Sequence, residues 1–235
     1  MSDRKQELAE RTAEVREALA NAARQAGRAP EDVTLVAVSK LHPASDIRAL
    51  AETGQAEFGE NYVQEALSKQ EDLAGLDVNW HFIGGLQTNK AKYVAGKFAL
   101  VHSVDSSKLA RALHNKAVSL DTVQDILIQV NIAGETQKSG VETERLPELA
   151  EEVLGMEGLR LAGLMTMPPF FDDPERARPV FARLRELRDR LETRLGVKLP
   201  HLSMGMTGDF VPAVEEGATL VRIGTRIFGA RPPRG

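Results

Sequence analysis

Short apolar segments alternate with amphipathic segments along the chain, and this pattern predicts repeated pairs of a strand and a helix. The first strand is predicted over residues 33–40, where a two-residue period places Val36, Val38 and Lys40 on one core-facing side. Further short apolar runs follow at intervals of roughly 20 to 35 residues. These predicted strands cover residues 57–60, 80–84, 100–104, 125–131, 161–165, 201–204 and 219–224.

The segments between the predicted strands have the three- to four-residue period of amphipathic helices. The first helix, over residues 3–26, precedes the first strand, with Ser2 as a candidate N-cap and Gly27 as a stop. We expect it to pack on the outside of the following elements. The other helices are predicted near residues 44–52, from 61 onward, and near 88–95, 107–118, 144–154, 174–195 and 211–216.

Eight strands that alternate with helices favour an α/β fold, a single (β/α)8 TIM barrel with an extra N-terminal helix. One domain over residues 1–235 accounts for the whole chain, since no linker or low-complexity segment interrupts it. A doubly wound open sheet is the alternative, because periodicity alone does not show that a sheet closes.

The composition and net charge favour a function that involves small molecules. The chain has 235 residues, 42% hydrophobic and 27% charged, and lacks the long apolar run of a membrane span or signal peptide. The absence of cysteine excludes disulfides, thiolate catalysis and Cys-ligated zinc, and fits a cytoplasmic protein. A net charge of −4 provides no basic field for nucleic acid. We therefore expect no membrane, nucleic-acid or metal partner.

Lys40 is the first candidate for chemistry. A lysine with a pKa of about 10.4 requires roughly 4.6 kcal/mol from its surroundings to lose its proton at neutral pH. Proteins use such a neutral amine to form a Schiff base with a carbonyl compound. The alternative is that Lys40 extends to solvent or pairs with a carboxylate.

The loops after the last two predicted strands have a composition typical of phosphate sites, which barrels commonly place there. The first contains Ser203, Gly205 and Thr207, and the second begins with Gly224 and Thr225 at a predicted helix N-terminus. Ordinary turns are the alternative interpretation of both loops.

Arg222 lies in an otherwise apolar strand, on the same face as Leu220. A buried guanidinium needs an acceptor, either a salt-bridge partner or a ligand nitrogen or carboxylate. A Schiff-base lysine, a phosphate cradle and a strand arginine together are the parts of a pyridoxal 5′-phosphate (PLP) site.

Seven ordered motifs carry a resemblance that covers nearly the full chain. They are AVSK at 37–40, FGENYVQE at 58–65, WHFIG at 80–84 with LQTNK at 86–90, KSG at 138–140, GLM at 163–165, LSMGM at 202–206 and VRIGT at 221–225 with IFGAR at 227–231. The chain resembles the pyridoxal phosphate homeostasis proteins, also called the YggS-like or PROSC family. This resemblance implies a barrel similar to the barrel domain of alanine racemase-type PLP enzymes.

The resemblance also implies a cofactor site without a catalytic residue. It implies an internal aldimine at Lys40, an arginine facing the pyridine nitrogen at Arg222, and a secondary PLP contact at Lys138. Phosphate-binding residues would be Ser203, Gly205, Thr207, Gly224 and Thr225, and the ring pocket would include Asn61 and His81.

The chain departs from the family pattern at two places, one of which spans two residues. Gly85 stands where a proline is usual, which loosens the loop after the third predicted strand. Thr207 and Gly208 stand where serine and aspartate are usual, so the hydroxyl is kept and a carboxylate able to cap the next helix is lost.

The function implied by the resemblance is to carry or buffer PLP and to regulate intracellular PLP and amino-acid levels without substantial catalysis. PLP-dependent apo-enzymes are the expected recipients. The β-domain that builds the dimer of related enzymes has no counterpart in the sequence, so we expect a monomer.

Two other functions remain open, a small PLP-dependent amino-acid racemase and a Schiff-base aldolase acting on a sugar phosphate. A racemase needs a second proton-transfer group opposite the lysine, and Tyr62 and Tyr93 are the only tyrosines. An arginine at the ring nitrogen also leaves a poorer electron sink. The aldolase would use Lys40 but explains Arg222 less well.

Overall fold

Parallel strands form the centre of the molecule. The computed structural model describes residues 3–134 and 139–230. Its strands are β1 (Thr34–Val38), β2 (Glu57–Glu60), β3 (Asn79–Phe82), β4 (Leu100–Val104), β5 (Gln124–Asn131), β6 (Val141–Glu142), β7 (Leu159–Met165), β8 (His201–Ser203) and β9 (Leu220–Ile223).

Eight of these strands close into a barrel. They follow the order β4-β3-β2-β1-β9-β8-β7-β5, and a further pairing of β4 with β5 completes the ring. All strand pairs are parallel, and β6 pairs with β5 outside the ring. The predicted (β/α)8 barrel is therefore confirmed, and the open sheet is excluded.

Helices surround the barrel. They are α1 (Asp3–Gln25), α2 (Ala44–Ala51), α3 (Val63–Asp72), α4 (Ala91–Val94), α5 (Ser107–Ser119), α6 (Leu146–Leu154), α7 (Arg178–Leu195), α8 (Phe210–Glu215) and α9 (Thr225–Phe228). Within the described ranges, none of them combines the length and the apolar character that a bilayer crossing requires.

The extra helix α1 packs on the outside of the barrel, as predicted. It contacts α2, α8 and α9. The Arg4 Nη2 atom donates to Asp46 Oδ2 at 2.7 Å and to the Phe228 carbonyl at 2.9 Å, which joins α1 to α2 and α9. Gly27 has φ +69, the left-handed conformation expected of a helix stop, whereas the candidate cap Ser2 lies outside the described residues.

Alternation along the strands separates two apolar layers. Leu35 and Ala37 belong to the large core between barrel and helices, whereas Val36 points into the barrel. The barrel interior is filled by Val36, Leu100, Leu127, Ala162, Met165 and Leu220. The predicted inward face of β1 is therefore confirmed.

Two local features differ from the sequence prediction. Strand β1 ends at Val38, and Lys40 lies in the turn that follows, where Leu41 has φ 64. The two-residue strand β6 was not predicted, because it is too short to show a period. Its approach to β5 depends on Gly140, where a Cβ would lie 2.7 Å from the Asn131 backbone nitrogen.

Candidate functional site

A cavity of about 670 Å³ opens at the carboxyl end of the barrel strands, the end at which TIM barrels place their active sites. Six of the predicted site residues line this cavity although they come from distant parts of the sequence. They are Lys40, Asn61, Thr207, Arg222, Gly224 and Thr225.

The turn that carries Lys40 is fixed from behind by α3. The Leu41 backbone nitrogen donates to Glu65 Oε1 at 2.5 Å, and Lys69 Nζ donates to the Ser39 carbonyl at 2.8 Å. Both residues that flank Lys40 are therefore bonded through their backbone to side chains of α3. This arrangement holds the Lys40 backbone in place and leaves its side chain lining the cavity.

A buried ion cluster completes this support. Lys69 Nζ lies 2.7 Å from Glu60 Oε1 and 2.6 Å from Glu65 Oε1, and the Ser39 hydroxyl donates to Glu60 Oε1 at 2.7 Å. Burial raises the pKa of the Glu60 carboxyl, although Lys69 opposes this effect. Removing one partner of such a buried pair typically costs about 3–5 kcal/mol, because the remaining charge is left buried without a partner.

Arg222 provides a fixed positive charge in the cavity. Its Nη1 donates to Ser203 Oγ at 2.5 Å and its Nη2 to the Thr166 carbonyl at 3.1 Å. Burial lowers the pKa of Arg222 to about 10, and the nearby Asp209 carboxylate opposes this shift. The guanidinium therefore stays charged at neutral pH, and it has further N–H groups for a ligand beyond these two hydrogen bonds.

The two loops predicted to bind phosphate both reach the cavity. Thr207 and Gly208 line it in the loop after β8, and Gly224 and Thr225 line it where α9 begins. A hydroxyl and the backbone N–H groups of a first helical turn are suitable donors to an anion.

The capping carboxylate assigned from the sequence to position 208 has no place there, because the N-cap position of α8 is occupied by the next residue, Asp209. The Asp209 side chain makes no capping hydrogen bond to α8. Its Oδ1 accepts from the Met206 backbone nitrogen at 2.6 Å and fixes the loop, and burial raises the pKa of this carboxyl. Gly208 itself faces open space, and the other departure, Gly85, lies next to cavity residue Ser139, with a Cβ 3.9 Å from its Oγ.

Three described residues of the predicted site, His81, Ser203 and Gly205, do not line the cavity. His81 and Ser203 are buried inside the barrel, where Ser203 accepts the hydrogen bond from Arg222. Gly205 has φ +89 and packs on α8, where a Cβ would lie 2.6 Å from Ala213 Cβ. Lys138 lies outside the described residues.

One wall of the cavity was not anticipated from the sequence. The loop after β7, residues 167–171, contributes Met167, two prolines, Phe170 and Phe171. Phe170 is 88% exposed at the cavity rim. Apolar loop residues carry no chemical signal in a sequence, and only their position at the carboxyl end of a barrel strand could have identified them.

Asn61 contributes a polar atom that a ligand could satisfy. Its Oδ1 is buried and has no hydrogen-bond partner in the described structure, an arrangement that is rare unless a ligand or water completes it. The residue sits close against Gly84, where a Cβ would lie 2.2 Å from the Asn61 carbonyl oxygen. This constraint keeps the amide at the cavity.

Together these groups fit PLP. The cavity offers a lysine amine for an aldehyde, a charged arginine for a ring nitrogen, and hydroxyl and backbone donors for a phosphate. The unpartnered Asn61 oxygen adds a position for a polar substituent of the ring. Neither Tyr62 nor Tyr93 lines the cavity, and their side chains are exposed.

Comparison with known proteins identifies one family. Residues 15–232 match the model of the alanine racemase N-terminal domain. The pyridoxal phosphate homeostasis protein of Aquifex aeolicus is 50% identical over 222 residues, which cover 94% of this chain and 97% of the relative.

Solved structures show the same relationship. PipY of Synechococcus elongatus PCC7942, solved with PLP bound, is 36% identical with a TM-score of 0.84, over 94% of this chain and all of that chain. Alanine racemase of Clostridium difficile 630 has a TM-score of 0.73 at 16% identity, over 86% of this chain and 53% of that chain. The latter similarity concerns the fold alone.

Proposed function

Because this chain belongs to the family of the pyridoxal phosphate homeostasis proteins, we propose that it binds PLP in the cavity and carries or buffers it inside the cell. One observation carries this proposal: Lys40 and Arg222, at the ends of the adjacent strands β1 and β9, line the same cavity as Thr207 and Thr225. The PLP-bound structure of PipY supports the same ligand.

Each residue has a distinct role in this proposal. Lys40 Nζ holds the aldehyde carbon of PLP covalently, and Arg222 donates to the ring nitrogen. Thr207 and the backbone at Gly224 and Thr225 hold the phosphate. PLP supplies a ring that withdraws electrons from an attached amine.

The geometry favours a carrier over a catalyst. With a pKa of about 10, Arg222 keeps its proton at neutral pH and donates a hydrogen bond to the ring nitrogen without protonating it. The ring then withdraws electrons less strongly. A racemase would also need a second acid or base opposite Lys40, and neither tyrosine lines the cavity. Two other titratable side chains do line it, but His42 stacks on Phe228 and Asp209 accepts from the Met206 backbone nitrogen.

In the cell, this carrier would keep free PLP low and supply it to PLP-dependent apo-enzymes, and would thereby influence amino-acid levels. We place this role in the cytoplasm and assign it to a monomer. The absence of cysteine from the sequence supports a reducing compartment.

Covalent labelling tests the binding site. Purified wild type, Lys40→Ala and the control Lys97→Ala, which changes an exposed lysine away from the cavity, are incubated with PLP and treated with borohydride. We expect wild type and the control to show a yellow band that borohydride removes, with pyridoxyl on the peptide that contains Lys40. A colourless, unlabelled wild type, or equal labelling of Lys40→Ala, would overturn the proposal.

Isotope exchange tests the absence of catalysis. The PLP-loaded protein is incubated with alanine in deuterium oxide, and incorporation at the α-carbon is followed by mass spectrometry. We expect exchange no faster than with free PLP and the same concentration of Lys40→Ala protein. Sustained exchange at rates typical of enzymes would replace the carrier with a racemase.

A further inference from the structure

A continuous hydrogen-bonded chain runs inside the barrel from its amino end to Arg222. Glu57 Oε2 lies 2.6 Å from His81 Nε2, and His81 Nδ1 lies 2.8 Å from His102 Nε2. His102 Nδ1 in turn lies 2.8 Å from Ser203 Oγ, which accepts from Arg222. We call Glu57, His81, His102 and Ser203 the histidine chain.

The histidine chain occupies a place that TIM barrels usually fill with branched apolar side chains. His102 and Ser203 are fully buried, and His81 is 5% exposed. Polar groups cost free energy at such positions unless each is hydrogen-bonded. Because the histidine chain leads directly to Arg222, which lines the cavity, a role at the site explains its presence better than a role in the fold.

The two ends of the chain determine the direction of its hydrogen bonds. Arg222 only donates, whereas an ionised Glu57 only accepts. Burial opposes ionisation of Glu57, but hydrogen bonds from His81 and Asn79 outweigh it and lower the pKa of the carboxyl. Burial also lowers the pKa of His102 well below its usual value, so its ring is neutral.

One arrangement of protons satisfies all these contacts. Arg222 donates to the Ser203 oxygen, and the Ser203 hydroxyl donates to His102 Nδ1. His102 then donates from Nε2 to His81 Nδ1, and His81 donates from Nε2 to Glu57. The opposite direction would place an unprotonated nitrogen of a neutral His81 against the Glu57 carboxylate, which is unfavourable. With a doubly protonated His81 it would instead leave the Ser203 hydroxyl proton without an acceptor among these contacts.

We propose that the histidine chain positions Arg222 and thereby sets its hydrogen bond to the bound cofactor. The histidine chain orients the Ser203 hydroxyl so that its oxygen accepts from Arg222 Nη1. This bond and the one from Nη2 to the Thr166 carbonyl together fix the plane of the guanidinium. His81, His102 and Ser203 are thus positioning residues that act through Arg222. This inference rests on the proposed binding of PLP.

The tautomers of the two histidines give a direct test in the protein itself. Nitrogen-15 NMR, with ring signals assigned from His81 and His102 variants, distinguishes an Nε2–H imidazole from an Nδ1–H imidazole. We expect both rings to be neutral Nε2–H tautomers at neutral pH, with and without PLP. A charged His102, or a proton on its Nδ1, would overturn the inference.

Substitutions at residue 102 test the effect on the cofactor. His102→Leu removes both contacts, whereas His102→Asn keeps an acceptor near the position of Nδ1. Leu127→Ala serves as the control, because it truncates another fully buried side chain of the barrel interior. The readouts are the dissociation constant for PLP and the absorption maximum of the bound cofactor.

We expect His102→Leu to bind PLP about tenfold more weakly and to shift the absorption maximum. Without its bond to His102, the Ser203 hydroxyl no longer holds the orientation in which it accepts from the charged Arg222, and hydrogen bonds to charged groups have about this effect. His102→Asn should recover most of the affinity, and Leu127→Ala should retain the wild-type spectrum. A folded His102→Leu protein with wild-type affinity and spectrum would overturn the inference and leave the proposed function intact.

Glu57→Ala tests the histidine chain from its other end. Glu57 is only half-buried at the amino end of the barrel strands, where a substitution is tolerated more readily. Loss of the final acceptor should mix the histidine tautomers and shift the absorption maximum. Unchanged tautomers and an unchanged spectrum would contradict the inference even if His102→Leu does not fold. A wild type that binds no PLP would overturn the proposed function and this inference with it.

Discussion

At the scale of single residues, Asn61 shows how a buried polar atom can mark a binding site. Its Oδ1 has no partner in the described structure, and an unsatisfied buried acceptor typically costs about 1–3 kcal/mol. A folded protein retains such a cost where a ligand removes it. Asn61 therefore favours binding at the expense of the stability of the ligand-free protein.

Asn61→Ala should separate these two properties. We expect the free energy of unfolding without PLP to stay within about 1 kcal/mol of wild type or to rise, because no hydrogen bond of Oδ1 is lost. The dissociation constant for PLP should increase about tenfold. Urea unfolding and a binding titration measure the two effects, with Asn115→Ala on the exposed face of α5 as the control. A large loss of stability with unchanged binding would contradict this interpretation.

At the scale of elements, the pairing of β7 with β8 depends on the absence of a side chain. Gly163 lies opposite His201 in the sheet, with φ +154. A Cβ at this position would lie 1.9 Å from the His201 carbonyl oxygen. The strand β8 carries Ser203 and leads into the loop with Thr207, so this contact also determines the shape of the site.

Gly163→Ala should therefore separate β8 from β7. We expect a loss of about 3 kcal/mol or more in the free energy of unfolding, since a backbone oxygen cannot move away as a flexible side chain can. Gly155→Ala is the matched control, because Gly155 has φ −79 and a Cβ there would lie 3.5 Å from its nearest neighbour. Equal stability of the two variants in urea would show that the strands can shift.

At the scale of the whole molecule, buried histidines make stability depend on pH. Burial lowers the pKa of both His102 and His201 in the folded protein. The unfolded chain takes up protons at these residues near pH 6.5, roughly, whereas the folded protein does not. Their contribution is present above that pH and is lost as the pH falls.

Between about pH 7.5 and 5.5, we expect His102 alone to lower the free energy of unfolding by about 1.4 kcal/mol. Urea unfolding at the two pH values measures the difference. His102→Leu should reduce this difference by about that amount, whereas Leu127→Ala should destabilise the protein at both pH values and keep the difference. If His102→Leu kept the full pH dependence of the free energy of unfolding, groups other than His102 would be its cause.

The barrel could be predicted from the sequence because its strands have a strong period. Val36 alternates with Leu35 and Ala37, and the structure places them in two different apolar layers. The same period placed Lys40 within the strand, whereas it lies in the turn after Val38, because β1 ends two residues earlier. Strand β6 could not be predicted, because pairing over two residues depends on the tertiary contact at Gly140.

The candidate site was predictable only in part. The side chains of Lys40, Arg222 and Thr207 indicated a Schiff base, a ligand contact and phosphate binding from the sequence alone, and all three line the cavity. The contacts of His81 with Glu57 and His102 could not be foreseen, because a sequence does not show which inward side chains of neighbouring strands meet. The role of Asp209 was missed, since a capping carboxylate was considered only at position 208.

The pairing of β1 with β9 determines when the site can form during synthesis of the chain. Lys40 and Arg222 are separated by 182 positions along the chain, yet they line one cavity. A ribosome delivers the chain from its amino end, so the lysine emerges long before the arginine. A nascent chain consequently has no complete cavity, and capture of the cofactor marks a polypeptide whose ninth strand has been synthesised and has joined the first.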